Sequence, residues 1–288
     1  MYKQIAENKR NTVLLIIGFV LFIGAIGAIF AYAYGDWGIA ISTIAISAVY
    51  ALVQYFIGSK LAIMTTGAKK IEKKQNPRLY NIVENLSITA GLPMPEVYII
   101  EDSAPNAFAT GRDPKHAMVA ATTGLLDLMN DNELRSVMAH EMSHVKNYDI
   151  RVSMITFALT CIISFLADIG IRIIFFGGNN RENNGLLSLI AILVVSIVAP
   201  LVSAVTRMAV SRQREYLADA GSVELTRYPK GMISALKKID AHSRPMKKQS
   251  ASTESMYIAN PLNKGSLTNL FSTHPPIKKR IERLENAF

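Results

Sequence analysis

The chain carries four long apolar runs, and the first two lie close together near its beginning. Residues 13–34 contain no charged side chain, and a second uncharged run extends over 38–57. A helix rises about 1.5 Å per residue, so the first run reaches roughly 33 Å, enough to cross a hydrocarbon core of about 30 Å. Only Gly35, Asp36 and Trp37 separate the two runs. The pattern therefore predicts a tight hairpin of two membrane helices.

A cleaved signal peptide is the alternative interpretation of the first run. Residues 31–33, with the sequence AYA, resemble a cleavage site made of small residues. The apolar stretch is longer than the roughly 7–15 residues of a signal core, and a second span follows immediately. The sequence therefore favours a retained anchor.

Two further apolar runs predict a second hairpin. Residues 152–176 include Asp168 and Arg172, which lie four apart on one helical face and can pair at reduced cost in lipid. Residues 185–206 carry no charge and include Pro200, which membrane helices tolerate. The sequence predicts four spans in total, although hydropathy also allows the second hairpin to be partly sheltered against protein.

Basic residues predict the orientation. They flank the apolar runs on one side: Lys3, Lys9, Arg10, Lys60, Lys69, Lys70, Lys73, Lys74, Lys146, Arg151, Arg207, Arg212 and Arg214. The two connecting tips together hold only Arg181. Under the positive-inside rule, both termini and the whole polar portion face the cytoplasm. The net charge of +9 is then accounted for by topology, and nucleic-acid binding is not expected.

Composition excludes further classes. Half of the residues are hydrophobic and only 18% are charged, against about 25% charged in an average soluble domain. This balance excludes a disordered chain and disfavours an ordinary soluble enzyme. Cys161 is the only cysteine, so the chain forms neither an internal disulfide nor a cysteine-rich metal cage.

The polar portion predicts a small α+β domain in two parts. Periodicity and turn residues predict helices over 68–91, 131–148, 209–226, 229–242 and 276–287, strands over 96–100, 108–110 and 117–122, and a loop over 243–272. We expect four segments, namely a membrane hairpin at 1–58, the first part of the domain at 59–151, a second hairpin at 152–206 and the second part of the domain at 207–288. The predicted fold is a predominantly α-helical membrane protein.

The most informative residues form a metal-binding pattern, His140-Glu141-Met142-Ser143-His144. On a helix, positions i and i+4 lie about 40° apart around the axis, so both imidazoles can bind one ion. Glu141 is rotated about 100° from His140, where it can reach a water molecule. The five histidines of the chain make a chance match rare. The alternative is a helix with two surface histidines.

A catalytic zinc ion needs three protein ligands and an open position. The candidates for the third ligand are the remaining histidines and one distant carboxylate: His116, His242, His274 and Glu215. Asp219 lies one helical turn after Glu215, on the same face. If Glu215 is the third ligand, Asp219 can hydrogen-bond a ligating imidazole. Alternatively, both acids belong to an exposed helix and pair with Arg212 and Arg214.

At this point the sequence resembles a known family. The stretch ELRSVMAHEMSH at 133–144 and the stretch REYLAD at 214–219 are similar to the HtpX-type membrane zinc metalloproteases, bacterial relatives of the CAAX prenyl endopeptidases and of mitochondrial quality-control peptidases. The similarity extends to 105–111, 272–276 and 280–284, and it covers nearly the whole chain. One departure is Ser143, where relatives often carry glycine.

The resemblance implies a gluzincin-like peptidase domain with one Zn²⁺ per chain. It makes His140, His144 and Glu215 the metal ligands, with Asp219 supporting an imidazole. It makes Glu141 the general base of peptide-bond hydrolysis.

The resemblance also gives two residues helper roles, with His274 near the oxyanion and Asn106 on the substrate backbone. The alternatives are a helix-capping His274 and an Asn106 that is an ordinary turn residue. We expect His116 and His242 to be solvated. If the segment 117–122 is an exposed edge strand, an extended substrate can add to it as another strand.

The metal-binding pattern and the topology predict a zinc endopeptidase at the cytoplasmic face of a membrane, and the resemblance implies that this is the bacterial inner membrane. The resemblance implies that its substrates are misfolded membrane proteins under stress. An intramembrane protease is disfavoured because five charged residues of the metal-binding segment would lie in lipid: Asp131, Glu133, Arg135, Lys146 and Asp149. A catalytically silent membrane scaffold with a structural zinc site is the other alternative. Glu141 disfavours it, because structural sites close all four positions.

Overall fold

The computed structural model describes residues 2–176, 212–248, 253, 256–259 and 275–288. Its first two helices, α1 (Tyr2–Tyr34) and α2 (Gly38–Thr66), form the predicted hairpin. Gly35 turns the chain with a left-handed backbone (φ 69°) that glycine adopts without strain. Both helices are long and apolar enough to cross a membrane. The tip carries Trp37, which is 63% exposed, as an aromatic at a membrane interface would be.

The third predicted span coincides with a helix, α6 (Asp149–Phe176). Its first turns pack against the hairpin in one apolar cluster that includes Leu15, Phe19 and Ile155. The Tyr50 hydroxyl of α2 donates to the carbonyl of Ala158, 3.1 Å away. The fourth predicted span, 185–206, lies outside the described residues.

The polar domain contains a four-stranded sheet. Its strands are β1 (Lys69–Lys70), β2 (Glu96–Ile100), β3 (Ala107–Thr110) and β4 (Met118–Thr122), in the order β1-β2-β4-β3. The β2–β4 pair is parallel, and the other two pairs are antiparallel. The expectation of an exposed edge strand at 117–122 is wrong, because β4 lies between β2 and β3. All five residues of β4 are buried, and a continuous apolar run of this kind is typical of an internal strand. The edge strands are β1 and β3.

Helix α3 (Pro77–Ala90) begins later than the predicted helix over 68–91. The Asn76 side chain caps it by accepting a hydrogen bond from the Leu79 N–H at 2.9 Å, and Pro77 occupies its first turn. Residues 69–70 form β1 instead. A short helix, α4 (Thr123–Leu128), follows the sheet and was not predicted.

The remaining predicted helices of the domain are confirmed within the described residues. They are α5 (Asp131–Lys146), α7 (Arg212–Thr226), α8 (Pro229–Ala241) and α9 (Ile277–Ala287). Helix α5 lies at the centre of the domain and packs against α3, α7, α8 and β3. Its apolar face forms the middle of the main core, with Leu134, Val137, Met138 and Met142 all buried.

Small residues bring α5 and α7 close together. The backbone of Gly221 in α7 lies against Ser143 in α5, where a Cβ atom on the glycine would collide with the serine hydroxyl. At the next residue of α7, the Ser222 hydroxyl donates to the carbonyl of Ser136, seven residues before Ser143 on α5, at 2.6 Å. The close approach fixes the position of α7 relative to the two histidines of α5.

Candidate metal centre

Helix α5 presents His140 and His144 on one face. Its start is fixed by a capping box, in which Asn130 and Glu133 each accept a hydrogen bond from the backbone N–H of the other. The Nε2 atoms of the two imidazoles lie 3.1 Å apart. The rings are nearly perpendicular, with an interplanar angle of 89°. The surface alternative is wrong, because His140 is completely buried.

Helix α7 brings Glu215 to the paired imidazoles. One carboxylate oxygen lies 3.6 Å from Nε2 of His144, and the other lies 3.7 Å from Nε2 of His140. Glu215 and Asp219 are both buried, contrary to the alternative of an exposed helix. The structure therefore brings together the three side chains expected as ligands. The two exposed histidines, His116 and His242, lie elsewhere.

Carboxylates fix the orientation of both imidazoles. Nδ1 of His140 lies 3.0 Å from Oδ1 of Asp219, and Nδ1 of His144 lies 3.0 Å from Oδ2 of Asp149. These contacts favour a proton on Nδ1 and leave the Nε2 lone pairs directed towards Glu215. Ligand atoms about 2.0–2.1 Å from a tetrahedral zinc ion are separated by about 3.3 Å. The observed separations and the donor set fit such an ion.

A fully buried arginine, Arg280 of α9, supports the carboxylates. Its Nε and Nη2 atoms donate to the two oxygens of Asp219 at 2.9 and 2.6 Å. Its Nη1 atom lies 3.4 Å from Glu215 and donates to the carbonyl of Ile258 at 3.2 Å. Burial alone would raise the pKa of Asp219, but Arg280 and His140 together hold it well below its usual range. Asp219 therefore stays ionised beside the imidazole.

Glu141 is buried between the paired imidazoles and the sheet, with only 2% of its surface exposed. Burial raises its pKa to about 7, although nearby His144 and a hydrogen bond from the Ala109 backbone oppose the shift. A carboxylate with a pKa near neutrality is suited to accepting a proton and later releasing it. The arrangement gives Glu141 the properties of a general base.

The two imidazoles differ in protonation. Burial lowers the pKa of His140, although Asp219 opposes the shift, so the neutral form that a metal requires is favoured. Burial also acts to lower the pKa of His144. The hydrogen bond to Asp149 and the charge of Glu215 outweigh this effect and raise the pKa to about 9. Because a metal binds the neutral imidazole, metal binding at His144 competes with a proton.

Asn106 is buried just before the edge strand β3. Its side-chain amide donates to the carbonyl of Ala259 at 2.9 Å and accepts from the N–H of the same residue at 3.2 Å. Two residues before Ala259, Tyr257 forms a bridge with Phe108 of β3. In this structure the Asn106 amide therefore binds the backbone of the chain's own Ala259, and its substrate-binding role stays a prediction. His274 lies outside the described residues.

Three residues of the centre escaped the sequence analysis. Asp149 was considered only as a charge unsuited to lipid, although its position five residues after His144 was a usable signal. Arg280 appeared only as part of the segment 280–284, which resembles the HtpX-type family. Asn8, which contacts Asp149, carries no recognisable signal because it lies in the first membrane helix.

Two imidazoles on one helix, a carboxylate from a second helix and a buried glutamate beside them define the centre of a metallopeptidase. The membrane hairpin makes it a membrane protein.

Comparisons with known proteins identify the family. The sequence model of peptidase family M48 matches residues 73–287, and the chain belongs to this family. A protein named protease HtpX homolog from Tropheryma whipplei (strain Twist) is 50% identical over 285 residues, covering 99% of this chain and 98% of the relative. Another of the same name from Ligilactobacillus salivarius (strain UCC118) is 48% identical over 296 residues, covering 99% of each chain. The resemblance found in the sequence is confirmed.

A solved structure has a similar fold. The crystal structure of S. mikatae Ste24p superposes with a TM-score of 0.52 at 20% sequence identity. The match covers 99% of this chain and 66% of that one. At this identity the comparison concerns the fold, which is mostly helical with a small sheet domain.

Proposed function

We propose that this metallopeptidase is a zinc endopeptidase, with one Zn²⁺ held by His140, His144 and Glu215. The observation that carries the proposal is the convergence of two Nε2 atoms and the Glu215 carboxylate at separations of 3.1 to 3.7 Å. When bound, zinc supplies Lewis acidity, which lowers the pKa of water towards about 7 and polarises a carbonyl group.

Four residues of the protein have roles in proton transfer, ligand orientation, substrate binding and charge stabilisation. Glu141 accepts a proton from the attacking water and donates it to the leaving amine. Asp219, held by Arg280, keeps His140 in the orientation that leaves Nε2 available. By family resemblance, Asn106 binds the substrate backbone, for which its side-chain amide would exchange its two hydrogen bonds to Ala259. By family resemblance, His274 stabilises the negative charge that develops on the substrate oxygen.

The substrate is an extended segment of polypeptide. A substrate strand would pair with the outer edge of β3, beside Glu141, by taking the place of the present bridge between Phe108 and Tyr257. This mode of binding tolerates many sequences. This edge replaces β4 as the strand to which a substrate adds. Side-chain specificity is then low, which suits a peptidase that meets many unfolded segments.

The location of the centre indicates which polypeptides it meets. Helix α5 ends at Lys146 and membrane helix α6 begins at Asp149, so the metal centre adjoins the membrane. The excess of basic residues on this side supports a cytoplasmic orientation. We infer that the substrates are cytoplasmic segments of misfolded proteins in the bacterial cytoplasmic membrane, and that the chain acts in quality control under stress. Nucleic acid is not a partner.

The same proposal includes four membrane spans. We divide the chain into hairpins at 1–58 and 152–206 and domain parts at 59–151 and 207–288. The helical character of α6 over Asp149–Phe176 supports the first half of the second hairpin.

Chelation tests the proposal on the full chain in detergent. We expect the purified protein to contain one zinc per chain and to cleave a flexible reporter protein such as fluorescently labelled casein. Removing the metal with a chelator should abolish cleavage, and adding zinc should restore it. A protein that retains zinc but cleaves no substrate would favour the silent scaffold instead.

A further inference from the structure

A polar side chain from the first membrane helix reaches the metal centre. Asn8 of α1 is completely buried. Its amide nitrogen donates to Oδ1 of Asp149 at 2.6 Å and to the carbonyl of Asn147 at 2.8 Å. Its amide oxygen accepts from Gln4 at 3.4 Å, which orients the amino group towards Asp149. Asn8 therefore binds the short connection between α5 and α6 at two points.

Asp149 connects this side chain to a proposed ligand. While Oδ1 accepts from Asn8, Oδ2 lies 3.0 Å from Nδ1 of His144. The Asp149 side chain is buried, and each of its oxygens has its own partner. The guanidinium of Arg214 lies 3.7 Å from Oδ1 and balances part of the charge. The result is a continuous chain of contacts, Asn8–Asp149–His144.

The turn that precedes Asp149 contains a residue with a left-handed backbone. The preceding residue, Tyr148, has a left-handed backbone (φ 61°), which a residue with a side chain adopts at a cost of about 1 kcal/mol. This turn directs the chain from α5 into membrane helix α6 and places Asp149 beneath the imidazole. The two hydrogen bonds from Asn8 hold both ends of the turn.

We propose that Asn8 is a positioning residue for the metal centre. It holds Asp149 in the orientation that fixes the His144 ring, so the affinity for zinc depends on a contact made by the membrane hairpin. Groups that hydrogen-bond a ligating imidazole typically change metal affinity by about 10- to 100-fold when they are altered. The proposal rests on the zinc site proposed above.

A structural role for Asn8 in helix packing predicts something different. In that case its loss would lower stability without a specific effect on zinc, and it would do so whether or not Asp149 is present. A neighbour on the same helix, Thr12, provides the matched control. Thr12 is also buried, but its hydroxyl donates only to the Asn8 carbonyl of its own helix, at 2.9 Å.

The test measures zinc affinity by competition with a chromogenic chelator, using the full chain in detergent. We expect Asp149→Asn to weaken binding by about 10- to 100-fold and Asn8→Leu by about tenfold. In the double variant, the Asn8 change should add no more than about twofold, because it acts through Asp149. Thr12→Val should remain within about twofold of the wild type.

A second variant guards against misfolding of Asn8→Leu. Asn8→Asp keeps the size of the side chain, removes the donor and places a second acid beside Asp149, so it should also weaken zinc binding. The Co²⁺ spectrum of each variant reports the ligand geometry independently of activity. Wild-type affinity in Asn8→Leu and Asn8→Asp, or independent additive losses in the double variant, would overturn the proposal.

The parent proposal fails in a distinguishable way. If the wild-type protein binds no zinc, or if Glu215→Ala binds it as tightly as the wild type, the zinc site itself is wrong and this inference falls with it. If Glu215→Ala loses zinc but Asn8→Leu does not, only the role of Asn8 is refuted.

Discussion

Oδ1 of Asp219 lies 3.0 Å from Nδ1 of His140, one helical turn beyond Glu215 on α7. A single turn of helix therefore supplies both a proposed ligand and the group that orients another ligand. Glu215 is proposed to bind the metal directly, whereas Asp219 orients the His140 ring. We therefore expect substitutions of these two residues to affect metal binding in different ways.

Replacing Glu141 with glutamine should remove catalysis and keep the metal. The amide cannot accept the proton of the attacking water, so we expect the cleavage rate to fall by at least about 100-fold. Measurements of zinc content and of reporter cleavage on the same preparation check this. The exposed Glu224 supplies the control, and Glu224→Gln should cleave normally. Substantial activity in Glu141→Gln would refute the assigned base.

Replacing Arg280 with methionine should strongly destabilise the protein. The substitution leaves Asp219 buried without its cation, a loss that typically costs about 3–5 kcal/mol. Thermal unfolding in detergent measures the effect. The control is Arg283→Met, because Arg283 is exposed on the same helix and stacks on Tyr216. In the double variant Arg280→Met/Asp219→Asn, the neutral asparagine should recover part of the lost stability. If Arg280→Met and Arg283→Met destabilise the protein equally, the role of the buried pair is contradicted.

The capping glutamate of α5 should make stability depend on pH. Burial alone would raise the pKa of Glu133, but hydrogen bonds from Lys238, Ser234 and the Asn130 backbone outweigh it and lower the pKa below 4.5. Its ionised form therefore stabilises the fold above pH 4.5, and this contribution is lost as the pH falls through the folded-state pKa.

Glu133→Gln should accordingly destabilise the protein by about 2 kcal/mol at pH 7. The difference from the wild type should shrink as the pH drops below about 4.5. Unfolding midpoints measured from pH 7 to pH 4 test this, with Glu224→Gln as the exposed control. A difference that stays constant down to pH 4 would show that charge is not the cause.

Reporter fusions should reveal the orientation in the membrane. Alkaline phosphatase is active only outside the cytoplasm, so we expect activity from fusions at Asp36 and Asn180 and none from a fusion at Lys74. A fluorescent protein fused at the same positions should give the reverse pattern. An inactive phosphatase at Asn180, with an active one at Asp36, would mean that the second hairpin does not span the bilayer.

Local patterns in the sequence predicted the elements that depend on nearby residues. The uncharged runs at 13–34 and 38–57 required no tertiary information, and the spacing of His140 and His144 determined their common face. Glu215 was harder to predict from chemistry alone, since three histidines competed for its place. The family resemblance selected Glu215 in this case.

Contacts between distant segments could not be predicted in this way. Asn8 meets Asp149 only because α1 packs against α6, and the sequence offers no periodicity that links them. Arg280 reaches Asp219 from the far end of the chain. The position of β4 inside the sheet was likewise mistaken, because strand order depends on how the chain crosses over rather than on the strand itself.

The glycine at position 221 has a consequence for the precision of the centre. Because α7 rests its backbone against Ser143 there, the distance from Glu215 to the imidazoles is set by direct contact between two helices. A methyl group at that point would push the helices apart, and a rigid helix transmits such a shift along its length. The geometry of the ligands therefore depends on a position that takes no part in the chemistry.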